Sequence, residues 1–427
     1  MPAEAAIMHF DLRYGDGTVP LDVDDRRAPH VIHLNALPVL KNPLEEARRV
    51  LASPTGHAPL AEDLRSEKPE KIVVVINDET RPTPYEVFFP ALLEAFSAAG
   101  VRDDQVTFLI ATGTHRLQSD ELNRRLYGSG MIDRFRFVCH VCTDDSSLVS
   151  LGMLPSGYEF VLNRLAVEAD YLITLGVVSP HYFAGYSRRK SILPGICGKK
   201  TVQDNHARMV EILDHMPPIR ENPISLEMIE AARKVGVNFV FNAVMNADNQ
   251  VVRLVAGDLV EAWYEAVDTS SSMYEIPFTE PVDIAVSNAC GYPRDVNWYQ
   301  AQKAIDHADK IVKPGGTIIV CGECRDGYGN KVFEEWMKKK LPPEEVMREI
   351  RAHFVLGGHK AFAFAKVASE KKLVLVSSMN AEDTATLYGT KAASVQEAFD
   401  QAVAACPDAS IAIMPEGGLT LPVHMNA

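Results

Sequence analysis

Lys71-Ile72-Val73-Val74-Val75-Ile76-Asn77-Asp78-Glu79-Thr80-Arg81-Pro82-Thr83-Pro84 is an apolar run that stops on polar residues and prolines. Nothing polar interrupts Ile72–Ile76, so this strand is expected to be buried on both faces, as in a parallel sheet covered by helices. Pro82 and Pro84 bar a helix directly after it, which makes Asp78–Pro84 a loop at the strand's carboxyl end. Open α/β sheets bind their ligands at that edge.

The same grammar continues outward in both directions. The first stretch, to about residue 30, reads as short strands and turns. Residues 85–99 have helical spacing and end at Gly100, Gln105–Ala111 is a second buried strand, and Ser119 opens a helix over 119–127. Phe135–Val141 and Tyr171–Val178 are further strands, and 237–273 holds two strand-like runs and a helix. Pro277 and Pro281 mark a linker. Beyond it come the strand Val282–Ser287, a helix near 296–312 capped by Asp295, and the strand Thr317–Val320. Helices near 330–340, 343–353 and 358–369, strands Lys372–Ser377 and 410–414, and a helix at 394–404 complete the chain. At 427 residues the chain exceeds a single core. The expectation is an α/β protein of two domains, 1–276 and 277–427, with mostly parallel sheets and an active-site cleft between them.

Composition narrows the function classes. Forty-three basic against 57 acidic residues give a net charge of -14, which disfavours nucleic acid as a partner. Any anionic ligand then needs a local basic cluster. No apolar run approaches the roughly 20 residues of a membrane span, and the opening residues lack a basic leader. Seven cysteines fit a reducing cytoplasm. Cys139-x-x-Cys142 and Cys321-x-x-Cys324 have zinc-site spacing, but each ends a strand-like run with no histidine pattern beside it, and structural thiols are the expected reading.

Three strand ends carry chemistry. Asp78 and Arg81 project from a stiff loop, and arginine suits bidentate carboxylate recognition; the plain alternative is an ion pair that stiffens a turn. Ala111-Thr112-Gly113-Thr114-His115-Arg116 presents a histidine, which titrates near neutrality, although a lone histidine is more often structural. Ser179-Pro180-His181-Tyr182-Phe183-Ala184-Gly185-Tyr186-Ser187-Arg188-Arg189-Lys190-Ser191-Ile192-Leu193-Pro194-Gly195 adds a second histidine and three adjacent cations between glycines, fit for an anion or, more plainly, a solvated loop. Because parallel strands share one carboxyl edge, Arg81, His115 and His181 are expected to converge. Two histidines in one cleft suit proton transfer on both faces of a small substrate. His206 follows in Gln203-Asp204-Asn205-His206, near the start of a helix. Dinucleotide, P-loop and nucleophile-elbow motifs are absent. In the second half Tyr299 and Lys303 share a helix face.

Taken together, Glu79–Pro84, Ala111–Arg116, Pro180–Ser187, Lys190–Gly195 and the later His206 resemble the nickel-dependent lactate racemase family, whose members act on 2-hydroxyacids. The resemblance runs from about residue 70 to 390. It implies a nickel pincer nucleotide tethered through Lys190, with His206 as a nickel ligand and with Asp78, Thr80, Arg188 and Arg189 anchoring the cofactor. It implies acid/base roles for His115 and His181. Arg81 and Lys303 would hold the substrate carboxylate, with Tyr299 and Gln300 nearby. The C2 hydride would leave for the cofactor and return to the other face of a 2-oxoacid. Enzymes that make the cofactor are the implied partners. The family loop Gly-Tyr-Ser-Gly-Gly-x-Lys is here Gly185-Tyr186-Ser187-Arg188-Arg189-Lys190, one residue shorter and without the second glycine pair. A tryptophan that closes the lactate pocket is missing around Leu356–Ala361, where His359 and Lys360 stand. Lys360 is therefore expected to meet a substrate more polar than lactate, such as malate or a sugar acid. A nickel-free dehydrogenase or lyase, or a non-catalytic anion-binding homologue, are the competing readings.

Overall fold

The computed structural model describes residues 6–187, 191–213 and 216–425. The chain forms two compact units: Leu37–Ser271, and Met1–Ala36 together with Ser272–Ala427.

The Leu37–Ser271 unit is built on a six-stranded sheet in the order Val251–Gly257, Val237–Met245, Tyr171–Val177, Ile72–Asn77, Val106–Ala111, Arg136–Cys139. Its pairings are parallel except at one edge, where Val251–Gly257 runs antiparallel to Val237–Met245. Ile72–Ile76 is buried at every position, as an uninterrupted apolar run requires. On one face Val74, Ile76, Phe108, Ile173 and Phe241 pack with Phe88 and Leu92 of the helix Tyr85–Ala99. That helix ends at Gly100, whose left-handed backbone lets its N–H reach Phe96 and Ser97 carbonyls. Ser119 caps Asp120–Tyr127 by accepting from the Leu122 N–H, as expected. A hairpin, Leu148–Met153 with Glu159–Asn163, was not anticipated from the sequence.

The other unit has a second six-stranded sheet, all parallel: Gly389–Lys391, Lys372–Val376, Val312–Cys321, Val282–Asn288, Ile411–Met414, His30–Val31. The first 36 residues, expected in the first domain, belong here. His30–Val31 adds to the Ile411–Met414 edge, and Leu12, Leu21 and Val23 of the hairpin Ile7–Tyr14/Gly17–Asp24 enter a core with Ile284, Val286 and Phe399. A two-residue strand has no periodicity to read. The helix expected from 296 spans Trp298–Asp309, and its cap is Asn297, which accepts from the Gln300 N–H. Asp295 instead binds the Gly15 and Glu323 N–H groups. The two Cys-x-x-Cys pairs lie in different units, and all seven cysteines are free thiols.

Gly257 tests how tightly the first unit is closed. Its φ is +131°, and a Cβ there would lie 2.1 Å from the Thr55 carbonyl oxygen. The Thr55 segment bridges Ala256 and Asp258 by backbone hydrogen bonds of 2.8 and 2.9 Å. Gly257→Ala should therefore destabilise by roughly 2–4 kcal/mol through strain and overpacking. Thermal unfolding checks this, and an unchanged midpoint would mean that the Thr55 segment yields at no cost.

Candidate active site

Within the Leu37–Ser271 unit, Asp78, His115 and His181 follow three adjacent strands, Ile72–Asn77, Val106–Ala111 and Tyr171–Val177. Asp78 is only 6% exposed. Its Oδ2 accepts from His115 Nδ1 at 2.6 Å, and its Oδ1 accepts from the Thr80 hydroxyl at 2.6 Å and the Thr80 N–H at 3.2 Å. Burial by itself would raise the Asp78 carboxyl. The hydrogen bonds from His115 and Thr80, with the His115 and Arg81 charges, outweigh it and hold the group below its ordinary value. Arg81 is exposed and donates to the Thr80 carbonyl at 2.9 Å, so the loop rather than an Asp78 ion pair aims it.

Side chains that sequence reasoning passed over hold this edge. Tyr85 and Tyr127 each donate to the Asn77 carbonyl at 2.8 Å. Gln118 accepts from the Glu79 N–H at 2.6 Å and donates to Asn123 at 2.7 Å, joining the Asp78 loop to the helix Asp120–Tyr127. The His115 loop is fixed by its own N–H to the Thr112 carbonyl at 2.9 Å and by Gly113 N–H to the Gly195 carbonyl at 2.8 Å. The only prior signal was the polar residue type directly after each apolar run.

His181 sits in a small hairpin, Pro180–His181 with Gly185–Tyr186. Gly185, at φ +71°, turns where a Cβ would strike Ile219 at 2.6 Å. The Ala184 N–H donates to His181 Nδ1 at 3.3 Å. The His181 ring meets Phe183 edge-on at 4.6 Å, and Phe183 meets His206 at 5.1 Å. His206, expected at the start of a helix, is near the end of Lys199–Ala207, because the helix begins directly after Gly198. Its Nδ1 donates to the Val202 carbonyl at 2.7 Å. Glu227 steadies the next turn, with Arg208 at 3.0 Å and Tyr158 at 2.5 Å.

These contacts set the imidazole tautomers. His115 and His206 each commit the Nδ1 proton, to Asp78 and to the Val202 carbonyl, so in the neutral ring Nε2 carries the lone pair. His181 accepts at Nδ1, so its neutral ring carries the proton on Nε2. At rest His115 thus presents an accepting Nε2 and His181 an Nε2–H hydrogen-bond donor. Two other histidines show the structural alternative: burial drives His140 down to about 4 and His307 to about 3, and each bonds a backbone carbonyl.

In the other unit, Tyr299 and Lys303 are half-buried and Gln300 is exposed. Burial pushes the Tyr299 phenol up to about 12, keeping it a neutral donor. Its ring meets that of His359 edge-on at 5.8 Å. Lys360 is 4% exposed and donates to Gln302 Oε1 at 2.7 Å, an internal partner that its sequence position did not announce. Arg188, Arg189 and Lys190 lie outside the described residues.

The lactate racemase N-terminal domain model matches residues 14–215, and the lactate racemase C-terminal domain model matches residues 278–421. The chain is 31% identical over 420 residues to the lactate racemase of Thermoanaerobacterium thermosaccharolyticum, covering 96% of this chain and 98% of that one. It belongs to the lactate racemase family. The Lactiplantibacillus plantarum lactate racemase is 32% identical over 423 residues, with the same coverage of each chain. The structure of the T. thermosaccharolyticum lactate racemase apoprotein superposes with a TM-score of 0.89 at 30% identity, covering 97% of this chain and all of that one. Family membership carries racemase, and so isomerase, chemistry.

The family's nickel cofactor can be tested against the side chains present. Among the described residues no group of three or more His, Cys, Asp or Glu could hold a metal by itself. His206 nonetheless offers an Nε2 lone pair, oriented through Nδ1 as metal-ligating histidines are. A lone protein imidazole fits a metal whose other donors come with a cofactor.

Asp78 yields a prediction. Its folded pKa lies below its unfolded one, so its stabilising contribution is complete above about pH 4 and disappears as pH falls through the folded value. Asp78→Asn should flatten that acid-side loss in thermal midpoints measured from pH 5 to 3. It should also lower turnover roughly a hundredfold, because His115 loses the acceptor that fixes its tautomer. Parallel acid profiles for the two proteins would remove Asp78 from this role.

Proposed function

We propose that this chain is a 2-hydroxyacid racemase or epimerase that inverts C2 by hydride transfer to and from a nickel pincer nucleotide. The carrying observation is the pair His115 and His181, with opposite Nε2 states fixed by Asp78 and by the Ala184 N–H. When bound, the cofactor supplies the acceptor and donor for the C2 hydride. His115 Nε2 takes the hydroxyl proton from one enantiomer, and His181, entering that turnover as imidazolium with Nδ1 released from the Ala184 N–H, returns its Nε2 proton on the opposite face and ends neutral with an accepting Nε2; for the other enantiomer the roles exchange. Asp78 steadies the imidazolium that His115 becomes. Arg81 is a proposed carboxylate ligand, and in the second unit Lys303, Tyr299 and Gln300 are proposed substrate contacts. Asp78, Thr80, Arg188 and Arg189 are proposed to anchor the cofactor, Lys190 to tether it and His206 to ligate nickel.

The proposed substrate is malate or a sugar acid, more polar than lactate, because Lys360 sets its amino group 5.5 Å from the Tyr299 ring. A buried cation opposite an apolar methyl would be poorly solvated. Seven free thiols support a reducing cytoplasm, where enzymes that make the cofactor would be partners. Among the described residues no helix is long and apolar enough to cross a membrane.

His115→Ala and His181→Ala should each cut turnover about a hundredfold or more; His181→Ala should leave nickel content and thermal midpoint nearly unchanged, while His115→Ala should lower the midpoint because buried Asp78 loses a donor. Full activity in either variant removes that residue from the mechanism. Active enzyme should carry about one nickel per chain, and intact-mass analysis should show an adduct that Lys190→Ala lacks. An unmodified Lys190 in active enzyme ends the tether. Side-by-side racemisation of malate, 2-hydroxyglutarate, gluconate and lactate tests the substrate, and lactate as the best of them would overturn the polar-tail reading.

A further inference from the structure

Gln302 is fully buried on the helix Trp298–Asp309, one turn before Asp306. Its amide bridges two charged side chains. Lys360 Nζ donates to Gln302 Oε1 at 2.7 Å, and Gln302 Nε2 donates to Asp306 Oδ1. An amide has one accepting and one donating end, so this order places a donor, Lys360, on the oxygen side and an acceptor, Asp306, on the nitrogen side.

Lys360 needs such help. It lies in the first turn of the helix Gly358–Glu370, where the backbone N–H groups present positive potential, and it is almost wholly buried. Burial drives its ammonium pKa down, Lys303 pushes the same way, and Asp306 opposes both. Asp306 is in turn raised by burial and by Asp309, while Lys360, the Gln302 hydrogen bond and Lys366 lower it. His307, on the same helix, is kept neutral by its own burial. Asp306 Oδ2 is shut from water and has no hydrogen-bond partner, so the carboxylate's charge is not spent on a competing donor there.

We propose that Asp306, acting through the Gln302 amide, is a positioning residue that holds Lys360 charged and aimed, and so makes the enzyme select 2-hydroxyacids carrying a second anionic group. This rests on the reading of Lys360 as a substrate contact. A neutral lysine in the same place would still fill the space but would not attract an anion, so specificity would follow Asp306 even though Asp306 touches no substrate.

The experiment separates the relay from the substrate reading. Full-length protein labelled at lysine Cε is titrated by NMR, with the Lys360 signal assigned by its loss in Lys360→Met. Asp306→Asn, which keeps the shape, and Gln302→Leu should each lower the Lys360 midpoint by about one pH unit or more. On loaded enzyme, the kcat/KM ratio of malate to lactate should fall about tenfold in both variants at pH 8, mostly through KM for malate. Asp306→Asn should add nothing in a Lys360→Met background. A Lys360 midpoint that stays put in both variants overturns the relay. A midpoint that moves while the malate to lactate ratio does not upholds the relay and overturns Lys360 as the contact for the anionic tail.

Discussion

A carboxylate taken out of water at the end of the central strand must be surrounded by donors or become neutral, and Asp78 is where this chain meets that requirement. It is 6% exposed, and His115 and Thr80 supply its hydrogen bonds. Each donor comes from a different part of the edge: Thr80 from the loop that Asp78 begins, His115 from the loop after the neighbouring strand. Charge satisfaction therefore ties the two loops together and fixes the imidazole at the same time. The Tyr85 and Tyr127 hydroxyls on the Asn77 carbonyl keep the strand end from fraying, which would let water reach the carboxylate.

The second unit meets the same requirement with the sign reversed. Lys360 is buried and donates to the Gln302 amide, whose other end donates to Asp306. A direct ion pair would satisfy the lysine fully and leave little attraction for an anionic ligand. An amide between the charges gives the ammonium one good acceptor and a more distant negative charge.

How much of this was legible depended on whether the governing interaction was local. Ile72–Ile76 could be read as a doubly buried strand because each residue reports its own burial, and Gly100 and Ser119 could be read as helix ends because capping is decided within four residues. His115 and His181 were legible as strand-end polar residues, but their tautomers were not: His115 depends on Asp78, 37 positions earlier. The partner of Lys360 is 58 positions away, so its sequence showed a cation and not how that cation is held. His30–Val31 joins a strand near the other end of the chain, and no pattern in two residues announces that. The helix cap was misassigned to Asp295 because aspartate and asparagine are near-equal caps; the choice fell to Asn297 once Gly15 and Glu323 claimed the carboxylate.

The two histidines are held differently, one by a buried carboxylate and the other with a backbone N–H at 3.3 Å on its Nδ1. Under the proposed chemistry this inequality has a limited place to act. Two enantiomers in water have an equilibrium constant of unity, so kcat/KM must be equal in the two directions whatever the environments of the two bases. Over both directions each base takes and gives a proton, so any difference between the two cancels. What the asymmetry can change is how the cycle divides between bound states, and so kcat and KM separately for each enantiomer. For a sugar acid with further stereocentres the products are epimers, the constraint of unity lifts, and the ratio is set by the epimers' own free energies rather than by the enzyme. The Asp78–His115 bond therefore cannot favour one product hand at equilibrium. What that bond does fix is the His115 ring, with Nε2 as its accepting atom, while the Ala184 N–H orients His181.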